Sequence, residues 1–190
     1  MDFMTQQEYN AGIRRVLISE EELQEAIRKA GAAIDKEYAG KPVLFVSILK
    51  GAFVFLADLM RAVSIPCEVG FMQAQSYFDG TESKGEVEIT LDLQQDIRKY
   101  HVIIVEDIID TGRTLSLVAA KLRERDPLSL KIVTLLDKPE RRVVPLDADY
   151  SLFTIPDYFV IGYGLDLGEY YRNLPYIAEY NIFSDNEKDA

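Results

Sequence analysis

Hydrophobic positions along this chain follow two different spacings. Apolar residues recur three or four positions apart over residues 20–38, 52–63 and 114–122, which predicts amphipathic helices there. Ser19 and Glu22 form a capping-box pair, so the first of these helices is expected to begin directly after Ser19. The residues expected on the buried helix faces are Leu23, Ile27, Ala30 and Ile34, then Phe53, Leu56 and Met60, and finally Leu115, Val118, Ala119 and Leu122.

The other spacing is that of strands, in continuous apolar or alternating runs bounded by polar turns. A continuous apolar run is typical of a strand that is buried on both faces of a parallel sheet. Because strands alternate with helices, the predicted fold class is α/β, with a central, mostly parallel twisted sheet flanked by helices. The predicted strands are residues 43–49, 67–73, 87–91, 102–105, 131–136 and 159–161, with an edge strand at 150–154.

Size and composition limit the kind of protein this can be. A chain of 190 residues, 48% hydrophobic and 28% charged, is expected to form one globular domain. No apolar run approaches the roughly 18 residues of a membrane-spanning helix, and the N-terminus lacks the pattern of a secretory signal. The single cysteine, Cys67, cannot form an internal disulfide. We therefore expect a cytoplasmic protein with no membrane partner.

The net charge is strongly negative, and this bears on the possible ligands. A formal charge of −11 argues against a general nucleic-acid binder, because affinity for a phosphate backbone comes from clustered lysine and arginine. It does not exclude a small phosphorylated substrate, which backbone amides, one or two local cations and Mg²⁺ can bind.

The most informative segment is VIIVEDIIDTGRTL, residues 102–115. An apolar strand leads into Glu106, Asp107 and Asp110, and a Thr-Gly-Arg-Thr turn then opens a helix. We expect residues 106–113 to form a loop at the carboxyl end of the strand, where open α/β sheets bind ligands. A helix N-terminus favours phosphate, and two adjacent acids suit the vicinal hydroxyls of a sugar. The segment therefore predicts a site for a nucleotide-like sugar phosphate.

Two common nucleotide-binding motifs are absent from the sequence. No GxxxxGK[ST] phosphate loop occurs. Gly162, Gly164 and Gly168 miss the GxGxxG spacing of dinucleotide-binding proteins by one residue. The predicted site therefore belongs to neither of these classes.

The segment resembles the type I phosphoribosyltransferases, whose signature is a hydrophobic strand, two acids, a short spacer and a Thr-Gly-x-Thr turn. The wording EDIIDTGRTL is most similar to the hypoxanthine (guanine) phosphoribosyltransferases. Three further segments agree in order and spacing: ILKGAFVFLADLM (48–60), QSYFDGTESKGEV (75–87), and the stretch from DKPERR to FVIGYGLDLGEYYRNLPYI (137–177). The resemblance implies purine salvage. The 5-phosphoribosyl group of phosphoribosyl pyrophosphate (PRPP) passes to N9 of hypoxanthine, and of guanine, giving IMP or GMP and pyrophosphate.

The resemblance also implies a domain organisation and an assembly. Residues 1–190 are expected to form a single domain with a core at about 41–150. A small hood is expected from the N-terminal segment and residues 151–183, although residues 1–40 carry no specific motif. The family relationship further implies a homodimer or a homotetramer.

By the same resemblance, the central segment binds the ribose phosphate. Glu106 and Asp107 are expected to contact the ribose hydroxyls and, with Asp166, to hold the Mg²⁺ cofactor. Asp110 is expected to be the catalytic base, because a carboxylate near N7 can accept the proton of the purine ring. The residues expected around the 5′-phosphate are Asp110, Thr111, Gly112, Arg113 and Thr114.

The remaining predicted residues bind pyrophosphate and the purine. Lys138 matches a lysine that donates to the 6-oxo group and so selects against adenine, since an ammonium has no acceptor for a 6-amino group. Phe159 is expected to stack on the base and Val160 to offer backbone contacts. Arg141 competes with Arg142 for one pyrophosphate position. The residues implied at pyrophosphate are Leu49, Lys50 and Gly51, with a cis Leu49–Lys50 peptide, then Ser76 and Tyr77 of a mobile loop, Arg142 and Arg172.

Two alternatives remain open from the sequence. One is a regulator that uses the same fold to sense PRPP or a nucleotide while binding RNA or DNA. Lys138, Phe159 and Asp166, which a pure sensor does not need, and the lack of a basic face argue against it. The other is an enzyme of the same class that prefers xanthine or guanine, because the residue pattern does not rank hypoxanthine, guanine and xanthine.

Overall fold

The computed structural model of the chain describes residues 3–76 and 87–182. Short 3₁₀ turns cover Ile97–Lys99 and Pro139–Arg141. The α-helices are α1 (Gln6–Ala11), α2 (Glu20–Tyr38), α3 (Phe53–Ala62) and α4 (Arg113–Arg123). The strands are β1 (Ile13–Ile18), β2 (Val43–Leu49), β3 (Cys67–Ser76), β4 (Val87–Leu91), β5 (His101–Ile109), β6 (Ser129–Asp137), β7 (Tyr150–Thr154), β8 (Val160–Ile161) and β9 (Ile177–Tyr180).

A six-stranded sheet forms the centre of the molecule, in the order β4-β3-β2-β5-β6-β7. Strands β3, β2, β5, β6 and β7 run parallel, and β4 joins the edge antiparallel to β3. Phe45 packs into a hydrophobic cluster with α2 and α3 on one face, while its neighbour Leu44 packs with α4 on the other. Helices therefore cover both faces, which explains the continuous apolar run of β2. The predicted α/β fold class is confirmed.

Helix α2 follows the sequence prediction closely. Its N-cap Ser19 accepts from the Glu22 amide, and the Glu22 carboxylate accepts from the Ser19 amide. Both bonds are local, so the sequence alone could specify them. All of the apolar residues predicted on the inner faces of α2 and α4 are buried.

Helix α3 buries a different face from the predicted one. Phe55, Leu56 and Leu59 are buried, whereas Phe53 and Met60 are 44% and 38% exposed. Only Leu56 of the three residues predicted inside was therefore right. The helix is apolar around much of its circumference, so the spacing did not distinguish the stripe that meets the sheet.

Strand β5 extends further than the sequence predicted. The loop expected from residue 106 is wrong at its start, because pairing with β6 continues through Glu106↔Thr134 to Ile109↔Asp137. Hydrogen bonding to a neighbouring strand outweighs the low strand preference of two acids. Glu106 and Asp107 are consequently held by strand pairing rather than by a loop.

A second, three-stranded antiparallel sheet has the order β1-β9-β8. Its strand β1 was not predicted, and neither were α1 and β9. The predicted boundary near residue 151 falls inside β7, which belongs to the large sheet. The division of the chain into a core and a hood stays a prediction. No helix in the part of the chain that the structure describes is long and apolar enough to span a membrane.

Candidate active site

A cleft opens at the carboxyl ends of β2 and β5. Its walls include Leu49 at the end of β2, Gly51 just after that strand, and the continuous segment 106–115. The structure thus brings the acidic pair, Asp110 and the Thr-Gly-Arg-Thr turn into one cleft. This position at the edge of a parallel sheet is where α/β proteins bind ligands.

Gly112 shapes the turn that enters α4. It is the N-cap residue and has φ +80, a left-handed conformation that favours glycine. A Cβ atom there would approach Val144 Cγ2 to 3.0 Å and Arg142 Cδ to 3.1 Å. Gly112 has no side chain to cap this helix end, and the Thr111 hydroxyl accepts only at 3.5 Å from the Arg113 amide. The positive end of the α4 dipole therefore faces the cleft, an arrangement suited to a phosphate group.

Glu106 and Asp107 form an acidic pair in which Asp107 is buried and Glu106 is half-buried. Burial, and secondly the negative charge of Asp107, raise the pKa of Glu106 well above its usual 4.5. Burial also raises the pKa of Asp107, whose side chain accepts from the Ile108 amide at 2.7 Å. Glu106 Oε2 is buried and has no hydrogen-bond partner among the described residues. A buried carboxylate oxygen without a partner is costly, which is typical of a group that awaits a ligand.

Asp110 lies just beyond the end of β5. Its Oδ1 accepts from Arg141 Nε at 3.0 Å, and its backbone oxygen accepts from Arg142 Nη1 at 2.5 Å. Arg142 also pairs with Asp137 and is only 14% exposed. The guanidinium of Arg142 thus holds the loop that carries Asp110, and its predicted pyrophosphate contact stays a prediction. The Arg141 contact was not predicted, because nothing in the local sequence indicates it.

The predicted purine-binding residues lie together beyond β6. Lys138 is 7% exposed, and its Nζ donates to the Tyr158 carbonyl oxygen at 2.5 Å and lies 3.4 Å from Asp157 Oδ1. Phe159 is 43% exposed and packs edge-on against Tyr180, with 5.8 Å between ring centroids. Next to it, Val160 begins β8. An exposed aromatic ring near a buried ammonium is suited to a planar base with a carbonyl oxygen.

Of the three cations predicted at pyrophosphate, Lys50 follows β2 and Arg172 precedes β9, whereas Arg142 lies beside Asp110. The Leu49–Lys50 peptide is cis, as expected. A Cβ atom on the next residue, Gly51, would lie 1.6 Å from Asp107 Oδ2, so only glycine fits there. Arg172 pairs with Asp166 at 2.9 Å and donates to the Gly164 carbonyl at 2.7 Å.

The two residues of the predicted mobile loop are not both described. Ser76 is the last residue of β3, and its backbone pairs with Val87 of β4. Tyr77 lies outside the described residues. The roles predicted for both stay predictions.

Comparison with known proteins decides the family. The model of the phosphoribosyl transferase domain matches residues 16–167. The chain belongs to the phosphoribosyltransferase family. It is 52% identical over 166 residues to a hypoxanthine-guanine phosphoribosyltransferase from Streptococcus pneumoniae, with 87% of this chain and 92% of that protein aligned.

Solved structures of phosphoribosyltransferases have the same fold as this chain. A hypoxanthine phosphoribosyltransferase from Staphylococcus aureus superposes with a TM-score of 0.88 at 45% identity, covering 94% of this chain and 97% of that one. A hypoxanthine phosphoribosyl transferase from Trypanosoma cruzi, studied for the role of its C-terminal region in oligomeric state and activity, gives 0.87 at 39% identity, with 94% and 96% covered. The type I phosphoribosyltransferase fold implied by the sequence is confirmed.

The acidic groups of the cleft suit the divalent cation expected of the family. Mg²⁺ prefers oxygen ligands and usually keeps several waters and substrate oxygens. The orphaned Glu106 Oε2 beside Asp107 offers such oxygen donors. Asp166 accepts from Arg172 and from the Glu169 amide, so both of its oxygens have partners. No group of three metal-binding side chains is found among residues 3–76 and 87–182.

Replacing Glu106 with glutamine should stabilise the substrate-free phosphoribosyltransferase fold at alkaline pH. The pKa of Glu106 is higher in the folded than in the unfolded state. Its contribution to the free energy of unfolding is therefore complete below the unfolded pKa of about 4.5 and is lost as the pH rises through the folded-state pKa. A neutral amide avoids that loss. We expect the free energy of unfolding to rise by about 0.5–2 kcal/mol at pH 8 in the presence of a chelator, with a smaller gain at pH 5.

Denaturant unfolding of Glu106→Gln at both pH values measures this effect, with Glu88→Gln on the exposed face of β4 as the control for loss of one charge. A variant that is less stable than wild type at pH 8 would show that ionised Glu106 does not destabilise the fold.

Proposed function

We propose that the chain catalyses transfer of the 5-phosphoribosyl group of PRPP to N9 of hypoxanthine or guanine, giving IMP or GMP and pyrophosphate. The observation that carries this proposal is the acidic pair Glu106–Asp107, whose Glu106 Oε2 lacks a partner among the described residues, beside the Gly112 turn at the N-terminus of α4. Sequence identity of 52% to a hypoxanthine-guanine phosphoribosyltransferase supports the same activity.

The ribose phosphate would bind along the end of β5 and the start of α4. Glu106 and Asp107 would accept hydrogen bonds from the vicinal ribose hydroxyls. The 5′-phosphate would bind to the turn 111–114, where the helix dipole favours an anion. The ribose hydroxyls and the 5′-phosphate of one substrate would thus be bound by the acidic pair and by the turn 111–114, which are close together because they lie at the end of β5 and at the start of α4.

Asp110 would act as the general base. As the bond from ribose C1′ to pyrophosphate breaks and the bond to purine N9 forms, the ring loses a proton at N7, which the Asp110 carboxylate accepts. Its negative charge also favours the oxocarbenium-like ribose of the transition state. Arg141 holds the Asp110 carboxylate at 3.0 Å before substrate binds.

The purine would bind between Lys138 and Phe159. The Lys138 ammonium would donate to the 6-oxo oxygen while the exposed ring of Phe159 stacks on the base. Backbone groups of Val160 would complete the contacts. Adenine places an amino group where Lys138 offers only donors, so we expect it to be rejected.

Pyrophosphate would bind at Lys50, Gly51 and Arg172, and at the other residues that the sequence predicted for it. Mg²⁺ would be held by Glu106 and Asp107 together with substrate oxygens, and by Asp166 near the diphosphate. When bound, the cation would neutralise charge on the leaving pyrophosphate. Assembly as a homodimer or homotetramer and a cytoplasmic location remain part of the proposal.

A parallel assay of four purines tests the proposed activity. With Mg²⁺ and PRPP, we expect hypoxanthine and guanine to be converted to IMP and GMP with release of pyrophosphate, while adenine stays inert. Nucleotide formation can be followed by absorbance and pyrophosphate by a coupled assay. Turnover confined to adenine, or to xanthine, would contradict the proposed substrate class.

A further inference from the structure

Glu169 joins Lys50 and Arg172, two of the three cations predicted at pyrophosphate. Its Oε1 is 3.0 Å from Lys50 Nζ, and its Oε2 is 3.2 Å from Arg172 Nη2. Lys50 and Glu169 are 119 residues apart in sequence, so the contact is made by the tertiary fold. Glu169 is not among the residues that the sequence motifs or the family resemblance predict in the site.

The backbone conformation at Glu169 orients its carboxylate toward Lys50 and Arg172. The Glu169 amide donates to Asp166 Oδ2 at 2.9 Å, and the residue has φ +73, which is uncommon for a side chain other than glycine or asparagine. Arg172 is fixed independently by Asp166 and by the Gly164 carbonyl. The arrangement therefore presents one carboxylate oxygen to each cation.

A diphosphate would bind to the same two cations, Lys50 and Arg172, that Glu169 now contacts. Lys50 precedes Gly51, which lies against Asp107 at the edge of the cleft, so a sugar held by the acidic pair would direct its pyrophosphate toward Lys50. The Lys50–Glu169 pair is exposed on both sides, and Glu169 is also the exposed partner of the less exposed Arg172. An exposed ion pair changes an equilibrium only about two- to fivefold. Glu169 is thus weakly enough bound for a multiply charged diphosphate to displace it.

We propose that Glu169 is an internal counter-anion that takes the place of pyrophosphate between Lys50 and Arg172 and must be displaced when PRPP binds. It then competes with PRPP on entry and assists pyrophosphate on exit by recapturing the two cations. This inference rests on the proposed function, because it assigns the substrate's diphosphate to these two residues.

The test is steady-state kinetics of Glu169→Gln, which keeps the size of the side chain and removes its charge. We expect the KM for PRPP and the inhibition constant for pyrophosphate to fall about two- to tenfold, with no gain in kcat. The dissociation constant of IMP, which has no pyrophosphate group, should stay unchanged. Glu169→Gly is the second variant, because glycine accepts φ +73 and the fold is retained.

The matched control is Glu124→Gln, which removes the same charge from the exposed end of α4 and should leave all three constants unchanged. Unchanged or higher PRPP and pyrophosphate constants in both Glu169 variants would overturn the inference. An equal shift for IMP would also overturn it, because the effect would then be a general one of charge. If the wild-type protein does not transfer the phosphoribosyl group, the proposed function is refuted instead. The role of Glu169 would then still be tested by comparing pyrophosphate binding to wild type and to the Glu169 variants by calorimetry.

Discussion

Asp110→Asn is expected to lower kcat about 10²- to 10⁴-fold, the usual contribution of a general base. An asparagine oxygen can still accept from Arg141, as Asp110 Oδ1 does at 3.0 Å, so the loop should keep its shape. The amide cannot, however, take the proton from the purine ring. Asp110 also belongs to the residues expected around the 5′-phosphate of PRPP, but asparagine keeps the hydrogen bond to Arg141, so the loss should appear mainly in kcat rather than in the KM for PRPP.

Asp126→Asn is the control for this substitution. Asp126 is exposed beyond the end of α4 with φ 52, a conformation that asparagine adopts readily, so activity should stay at the wild-type level. Initial rates with saturating PRPP and hypoxanthine compare the two variants. Turnover of Asp110→Asn near wild type would show that another group accepts the proton.

Lys138→Gln is expected to lower kcat/KM for hypoxanthine by about five- to 150-fold, the equivalent of 1–3 kcal/mol of lost charged hydrogen bonding. Lys138 is buried and already oriented by the Tyr158 carbonyl oxygen, so its ammonium is in place before the base arrives. Glutamine is neutral and shorter, and offers an acceptor as well as a donor. The loss should appear mainly in the KM for the purine.

Lys121→Gln, on the outer side of α4, removes the same charge away from the cleft and should not change purine kinetics. The KM for PRPP provides an internal reference, because Lys138 lies on the purine side. If purine kinetics of Lys138→Gln match wild type, the 6-oxo group is recognised by another donor. A KM for PRPP that rises as much as that for hypoxanthine would point to a structural role instead.

Local signals were sufficient to predict the parts of the fold that depend on neighbouring residues. The capping box at Ser19 and the apolar stripes of α2 and α4 are encoded within a few turns of helix. Strand β1 is different, because it is defined by pairing with β9, more than 150 residues away. The true end of β5 depends in the same way on its partner β6.

In the candidate site, too, the sequence predicted the local features and missed the long-range contacts. Residues 106–114 are contiguous, so their spacing alone indicated a phosphate cradle next to two acids. The contacts of Arg141 with Asp110 and of Glu169 with Lys50 join separate loops. No short-range pattern identifies such pairs, because their proximity results from how the sheet brings the loops together.

A crystal structure with IMP bound tests the central claim most directly. We predict that its phosphate lies within hydrogen-bond distance, about 3 Å, of main-chain amides of the turn 111–114, and that its ribose hydroxyls contact Glu106 and Asp107. The base should stack on Phe159 with its oxygen toward Lys138. A nucleotide bound elsewhere, with the turn at the start of α4 empty, would contradict the account.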